Sequence, residues 1–247
     1  MIEIRSPGEI DYIRKAGRIV KLALSVISKK AKRGVSTKYL DAIAEEIISG
    51  EKAIPAFKGY RGYPNALCSS VNDSVVHEIP SEKRILKEGD IISLDIGAGY
   101  KGYYADAAIT LGIGKISEKA KKLISVTEKA LYKGIEKIRE GNRISDISHA
   151  IQTFVESQGF SVVRAFIGHG IGRSIHEEPD IPNFGEPNKG PRIKDGMVFA
   201  VEPMVNVGSF EIIILKDGWT AVTKDGSLSG HFEHTVVARK GKAEILT

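Results

Sequence analysis

The chain has 247 residues, 42% of them hydrophobic and 27% charged, with a formal net charge of +5 at pH 7, which predicts a globular protein with a sizeable core. No apolar run approaches the ~18 residues of a membrane-spanning helix, and the N-terminal stretch lacks the apolar core of a signal peptide, so we expect a cytoplasmic protein without membrane contact. The single cysteine, Cys68, excludes an internal disulfide framework and fits a reducing compartment.

Four helices are predicted in two pairs. The first helix begins with Ser6 as N-cap and Pro7 at its first position, and its apolar residues recur with helical spacing to about residue 30. The second runs from about 36–37 to Ser49 and ends at Gly50. The third and fourth are predicted over 117–140 and 144–158. Predicted strands lie at 66–71, 74–77, 161–164, 197–205, 211–215, 220–223 and 231–239.

The order of these elements, a helix pair followed by strands and then the same again, predicts an α+β fold with a two-fold duplicated plan. No Pro/Ser-rich linker divides the chain, so we expect a single domain, 1–247. Residues 54–65 are too rich in Gly, Pro and aromatic residues for regular structure. Residues 168–191 are predicted to form a long Gly- and Pro-rich connection, and connections of that length are usually functional or disordered.

The stretch Ile91–Leu111 is predicted to be a hairpin in which each strand carries one aspartate among apolar residues. With Tyr100 and Lys101 as a two-residue loop, Asp95 and Asp106 lie directly opposite each other, with Cβ atoms ~5 Å apart. Like charges there destabilise a hairpin unless a cation lies between them, so the pair indicates a metal site. The alternative is a surface hairpin with a slipped register and two solvated aspartates. The rarity of Asp inside strands disfavours it.

Three further polar residues stand in apolar surroundings. Glu202 lies in GMVFAVEPMV and Glu233 in GHFEHTVVA, both of which otherwise have the pattern of buried strands. Unpaired carboxylates are rarely buried, although either could pair with Arg164 or Arg173. His169 lies between glycines in IGHGIG, where a ligand could approach closely, but a lone histidine is more often structural.

Taken together, two Asp, two Glu and one His form a set of hard oxygen ligands with one imidazole. Two divalent ions would neutralise the four carboxylates and could activate a water between them. With no thiolate in the set, Co, Mn, Fe or Zn is favoured over a closed structural zinc site. His77, in SVVHEIP, and His176, in GRSIHEEP, would suit hydrogen bonding to a substrate near such a centre. Each could equally be a plain surface histidine.

The five candidate ligands in this order, with the motifs GHGIG, HEEP and VEPM, resemble the methionine aminopeptidases. The likeness is to their short bacterial type I form, with the pita-bread (creatinase/aminopeptidase) fold, and it covers essentially the whole chain. It implies a hydrolase that removes the initiator methionine from nascent polypeptides when the second residue is small. It also implies a dimetal centre that activates the attacking water.

The resemblance implies a role for each candidate residue, according to its position in the family's motifs. The resemblance implies that Asp95 binds one ion, that His169 and Glu202 bind the other, and that Asp106 and Glu233 bridge the pair. Glu202 would also act as general base and acid. The resemblance also implies that His77 contacts the substrate near the scissile amide and that His176 stabilises the tetrahedral intermediate. The methionine pocket is expected to include His77, Tyr60, Tyr63, Cys68 and Trp219.

Several positions depart from the family's commonest pattern. Glu78 follows His77 where glycine is usual, and its charge is expected to raise the pKa of His77 or to shift substrate preference. Ile175 precedes His176 where an aromatic residue is common, and we expect it to change the shape of the pocket. Phe57 and Arg61 occupy variable rim positions.

Three other functions are alternatives to this one. An X-Pro peptidase of the same fold usually carries an additional N-terminal domain, for which this chain has no room. A non-catalytic relative that binds a ribosome or RNA typically lacks metal ligands, and a purely structural metal protein would not need His77 and His176.

The positive charge is thinly spread, with its largest cluster at Lys29–Arg33. We expect a monomer that contacts the ribosome transiently.

Overall fold

Residues 2–247 are described by a computed structural model, and the first long element among them is α1, Pro7–Lys30. A capping box begins this helix, since the Ser6 hydroxyl accepts from the Glu9 amide and the Glu9 carboxylate accepts from the Ser6 amide. Both predicted ends of the helix are confirmed.

The other helices are α2, Thr37–Gly50, α3, Glu118–Ile135, and α4, Ile144–Ser157. Ser36 and Ser117 cap α2 and α3 through their hydroxyls. The prediction that the third helix extends to residue 140 is wrong. After Ile135 the backbone leaves the α-helical pattern and forms hydrogen bonds that span three residues, among them Ile138 N–H to the Ile135 carbonyl. This turn buries Ile138 in the core. No helix of residues 2–247 is long and apolar enough to cross a membrane.

Fifteen strands lie in three antiparallel sheets within the described residues. In chain order they are β1 Ile54–Pro55, β2 Leu67–Val71, β3 Ser74–Val76, β4 Ile91–Tyr100, β5 Tyr103–Gly112, β6 Ser161–Val162, β7 Gly168–Gly170, β8 Glu177–Ile181, β9 Val198–Val201, β10 Met204–Asn206, β11 Ile212–Ile214, β12 Ala221–Thr223, β13 Ser229–His231, β14 Glu233–Val237 and β15 Glu244–Ile245.

The largest sheet has the order β1-β4-β5-β14-β9-β7-β8, with β2 beside β4 and β15 beside β14. The two smaller sheets have the orders β13-β10-β6 and β11-β12-β3. Helices α1 and α2 pack on each other and on β2, β4 and β5, whereas α3 and α4 pack on each other and on strands of the second half. Each helix pair therefore buries its own core, and the predicted α+β fold with a duplicated plan is confirmed.

The register of the β4–β5 hairpin differs from the prediction. Asp95 pairs with Ala108 and Asp106 pairs with Gly97, because the two-residue loop is Lys101–Gly102. Both loop residues have positive φ, +50° and +78°, as a type I′ turn requires, and glycine meets that requirement at the second position. The two aspartates are therefore diagonal neighbours and not directly opposed. They still share one face of the sheet, and both are buried, so the alternative of solvated aspartates is wrong.

Two further predictions need correction. The predicted strand 197–205 divides at Glu202–Pro203 into β9 and β10, which belong to different sheets. The predicted connection 168–191 contains the β7–β8 hairpin. Its glycines allow close strand packing, since a Cβ at Gly168 would lie 2.5 Å from the Ala200 carbonyl oxygen. The remaining predicted strands are present with ends shifted by a few residues, and β13 precedes β14 as a separate strand.

Candidate metal centre and methionine pocket

A cavity of about 340 Å³ opens where the sheets meet, and it brings together every side chain that the sequence singled out for the site. The predicted residues that line it are Tyr60, Tyr63, Cys68, His77, Asp95, Asp106, His169, His176, Glu202, Trp219 and Glu233. The cavity is polar at one end, where the carboxylates lie. Its other walls are largely aromatic and aliphatic.

The five candidate ligands come from five adjacent strands of the large sheet. Asp95 lies in β4, Asp106 in β5, Glu233 at the start of β14 and His169 in β7, while Glu202 directly follows β9. The β4-β5-β14-β9-β7 order places these strands side by side. The order of the strands in the sheet therefore brings together residues that are far apart in the chain. The sequence pattern does not predict this strand order.

The distances within the cluster suit the binding of a cation. The His169 Nε2 atom lies 3.4 Å from Glu202 Oε1 and 3.7 Å from Asp106 Oδ2. One ligand atom each from Asp106, His169 and Glu233 lies within 4.8 Å of the others. Asp95 Oδ1 is buried and has no hydrogen-bond partner among the described residues. A bound cation would satisfy that oxygen.

Neighbouring groups hold two of these side chains in position. His169 Nδ1 lies 2.9 Å from the Gly170 carbonyl oxygen, to which it donates, so the lone pair is on Nε2 and points at the carboxylates. The Thr235 hydroxyl donates to Asp106 Oδ1 at 3.0 Å, which leaves Oδ2 facing the cluster. Thr235 is a supporting residue that sequence reasoning missed, because a threonine in a strand carries no distinguishing signal.

The electrostatics of the cluster also call for a cation. Burial raises the pKa of Asp95, Glu202 and Glu233 well above their ordinary values, and the neighbouring carboxylates raise them further. Burial likewise raises the pKa of Asp106, against the lowering effect of the Thr235 hydrogen bond. The set therefore holds one imidazole lone pair and four carboxylates, of which only that of Glu202 is partly exposed. It fits divalent ions that prefer oxygen and nitrogen ligands.

The apolar end of the cavity has aromatic walls. The Tyr63 ring meets the Trp219 ring edge-on at 5.1 Å, and His77 meets Phe166 at 5.2 Å. Burial raises the pKa of the Cys68 thiol, so it lines the cavity as a neutral group. Sequence reasoning missed Phe166. Its signal was the short apolar run 165–167 directly before the GHG motif.

The two other histidines of the predicted site, His77 and His176, also line the cavity. His176 stacks on Tyr60, with Nδ1 2.9 Å from the Tyr60 hydroxyl, and its ring lies 4.2 Å from that of His169. His77 has φ of +61°, an uncommon backbone conformation for a residue with a side chain. Burial, reinforced by His176, lowers the pKa of His77 to about 4.

Neither Glu78 nor Ile175, the two departures from the family's commonest pattern, lines the cavity. The Glu78 carboxylate turns away from the cavity, accepting from the Val71 amide at 2.8 Å and lying 3.1 Å from Arg84 Nε. The expectation that Glu78 raises the pKa of His77 is wrong, since that pKa is lowered by burial. Ile175 is buried against Gly97 behind the hairpin and does not line the cavity. Phe57 and Arg61 do line it.

Comparison with known proteins agrees with this geometry. Residues 11–240 match the metallopeptidase family M24. The chain is 53% identical to methionine aminopeptidase 1 of Bacillus subtilis and 52% identical to the methionine aminopeptidase of Clostridium acetobutylicum, in each case over 100% of this chain and 99% of the relative.

Solved structures give the same result. The crystal structure of methionine aminopeptidase from Thermotoga maritima superposes with a TM-score of 0.99 at 46% identity, covering 100% of this chain and 99% of that one. A prolidase from Pyrococcus horikoshii superposes with a TM-score of 0.79 at 21% identity, over 99% of this chain but 63% of that one, which shows a shared fold alone. The chain therefore belongs to metallopeptidase family M24, among its methionine aminopeptidases, which are metal-dependent aminopeptidases.

Proposed function

We propose that this protein, acting as a single catalytic domain in the cytoplasm, removes the N-terminal methionine from nascent polypeptides whose second residue is small. The observation that carries the proposal is one cavity in which a cluster of buried carboxylates faces an aromatic slot. The cluster suits hydrolysis, and the slot suits a long apolar side chain. The full-length similarity to proteins named methionine aminopeptidases supports the same activity.

In this proposal five side chains hold two divalent ions, drawn from Co, Mn, Fe or Zn. Asp95 would hold one ion, His169 and Glu202 would hold the other, and Asp106 and Glu233 would contribute to both. The unsatisfied Asp95 oxygen and the lone pair of His169 support this arrangement. When bound, such ions supply Lewis-acid activation of the substrate and lower the pKa of the attacking water.

Glu202 is the proposed proton carrier. Its carboxylate faces the cluster, with Oε1 3.4 Å from His169 Nε2. Once cations offset the neighbouring negative charges, the ionised carboxylate can take a proton from water and then give it to the leaving amine.

His77 and His176 are proposed to bind the substrate amide and to stabilise the tetrahedral intermediate. Desolvation in the cavity lowers the pKa of both imidazoles, so each is neutral at pH 7.5 and offers one N–H. The Tyr60 hydroxyl, 2.9 Å from His176 Nδ1, fixes the ring and leaves Nε2–H to donate to developing negative charge.

Selection of methionine is proposed to come from the slot formed by Tyr63, Cys68, His77 and Trp219. An unbranched thioether can follow such a slot and make favourable sulfur–aromatic contacts. The limit on the second residue is proposed to come from crowding beside Tyr60 and His176, which stack together at the mouth.

A peptide assay tests this function. Metal-stripped protein would receive Mn, Co, Fe or Zn separately, with release of the first residue measured from Met-Ala-Ser, Met-Lys-Ser and Ala-Pro-Ser. We expect metal-dependent cleavage of Met-Ala-Ser alone. Cleavage of Ala-Pro-Ser would indicate an X-Pro peptidase instead. Absence of cleavage of every peptide by the folded protein with each metal would refute the proposal.

We further propose that the protein is a monomer that contacts the ribosome transiently. Its substrate would emerge there, and the net charge of +5 favours attraction to RNA. Sedimentation of the protein with ribosomes at low and high salt tests this contact. Absence of any salt-sensitive association would contradict it.

A further inference from the structure

Glu202 lies between two imidazoles, and the function proposed above uses only one of them. Its Oε1 faces His169 Nε2 at 3.4 Å, and its Oε2 faces His231 Nε2 at 3.7 Å. His231 is the last residue of β13 and is 2% exposed. Its Nε2 has no hydrogen-bond partner among the described residues, which is costly for a buried polar atom.

Hydrogen bonds hold the backbone of His231 in place, so the point from which its side chain extends is fixed. The Thr110 hydroxyl donates to the His231 carbonyl at 2.7 Å and accepts from the His231 amide at 2.8 Å. The Glu202 backbone is held as well, because Asn183 Nδ2 donates to its carbonyl at 3.0 Å. A small side-chain rotation is therefore enough to close the 3.7 Å gap, and catalytic hydrogen bonds are often this long before substrate binds.

We propose that His231 is a positioning residue that donates its Nε2–H to Glu202 Oε2 and so fixes the plane of that carboxylate. A neutral imidazole with its proton on Nε2 is sufficient. Each carboxylate oxygen has two lone pairs, so Oε2 keeps one for the proton of the attacking water while Oε1 remains beside His169. The inference rests on the proposed function, in which Glu202 carries that proton.

His231 does not line the cavity, so it makes no contact with substrate there, and Glu202 is the carboxylate that its Nε2 faces. Its loss should therefore lower kcat and leave KM nearly unchanged, since no substrate contact is removed. A residue that orients a metal-binding side chain should also affect metal affinity, typically by about 10- to 100-fold. This second effect can be measured without any turnover.

The test compares His231→Gln, His231→Phe and His231→Ala. Gln retains an N–H donor, Phe fills the space without one, and Ala removes both. The matched control is His234→Ala, because His234 lies in the next strand along the chain, β14, with Nδ1 2.9 Å from the Thr247 hydroxyl and outside the cavity. Measurements are kcat and KM on Met-Ala-Ser with Mn²⁺, calorimetric titration of stripped protein with Mn²⁺, and Tm.

We expect His231→Phe and His231→Ala to lower kcat by about 10- to 100-fold and to weaken Mn²⁺ binding, with KM changed by less than about twofold. His231→Gln should keep both kcat and Mn²⁺ affinity within about threefold of wild type, and His234→Ala should change neither kcat nor Mn²⁺ affinity. Wild-type kcat and Mn²⁺ affinity in His231→Phe would overturn the proposal, as would equal losses in Gln and Phe. A wild-type protein inactive on every peptide would instead refute the proposed function, while the Mn²⁺ titrations would still decide the role of His231.

Discussion

Replacing Asp106 by Asn should separate metal binding from folding. Asp106 is 2% exposed, and its free Oδ2 lies 3.7 Å from His169 Nε2, close to the carboxylates of Asp95, Glu202 and Glu233. The substitution keeps the Oδ1 atom that accepts from Thr235 but removes one clustered negative charge. Since like charges destabilise the metal-free cluster, the metal-free variant should be at least as stable as wild type. Its affinity for divalent ions should fall sharply, because Asp106 is proposed to bridge them.

The magnitude follows from mass action. Mn²⁺ at 100 times its dissociation constant stabilises the wild type by about 2.7 kcal/mol, which for a chain of 247 residues raises Tm by about 5–10 °C. A 100-fold weaker site, at the upper end of the effect of ligand-shell substitutions, gains only about 0.4 kcal/mol at the same concentration. Its Tm should therefore rise by about 1 °C.

Differential scanning calorimetry with and without Mn²⁺ measures both effects. The matched control is Asp41→Asn, because Asp41 is also buried but lies outside the cluster, paired with Lys38 and accepting from the Ala66 and Leu67 amides. The control should lose about 1.5–3 kcal/mol without metal and keep the full Mn²⁺-induced shift. A wild-type Mn²⁺ shift in Asp106→Asn, or a metal-free Tm as low as that of Asp41→Asn, would refute the reasoning.

Three other predictions concern catalysis, specificity and pH. Glu202→Gln should leave the circular dichroism spectrum unchanged and lower kcat by about 10²- to 10⁴-fold, because it removes the proton acceptor; unchanged kcat would contradict that role. Trp219→Ala removes an aromatic wall of the pocket and should lower kcat/KM on Met-Ala-Ser by about three- to tenfold, whereas an unchanged value would place methionine elsewhere. Hydrogen-bond donors from Ser6 and Tyr103 lower the pKa of Glu9 to about 2. The ionised Glu9 carboxylate therefore stabilises the fold fully above its ordinary pKa of about 4.3. This stabilisation is lost as the pH falls through about 2. The Tm difference between wild type and Glu9→Gln at pH 6 should therefore close by about pH 2, and a constant difference would contradict the assignment.

The sequence singles out the four carboxylates of the candidate metal site because each lies within or directly beside a run of apolar residues. Burial of such residues needs a compensating partner, and Asp95, Asp106, Glu202 and Glu233 indicate one by their context alone. The start of α1 was equally predictable, since the capping box is a local signal. These features depend on residues within a few positions of one another.

The features that the sequence did not predict depend on longer-range geometry. The hairpin register depended on which loop residue takes positive φ, and the loop is one residue later than predicted, at Lys101–Gly102. The division at Glu202–Pro203 reflects two sheets that diverge, which an apolar run does not reveal. The direction of the Glu78 side chain depends on Arg84, a partner that sequence spacing does not identify.

The most direct test of the account is an anomalous-diffraction map from a crystal of this protein prepared with Mn²⁺. We expect two peaks inside the cavity. One should lie beside Asp95 and the other beside His169 and Glu202, with Asp106 and Glu233 contacting both. A single peak, or peaks away from these five side chains, would contradict the proposed dimetal centre.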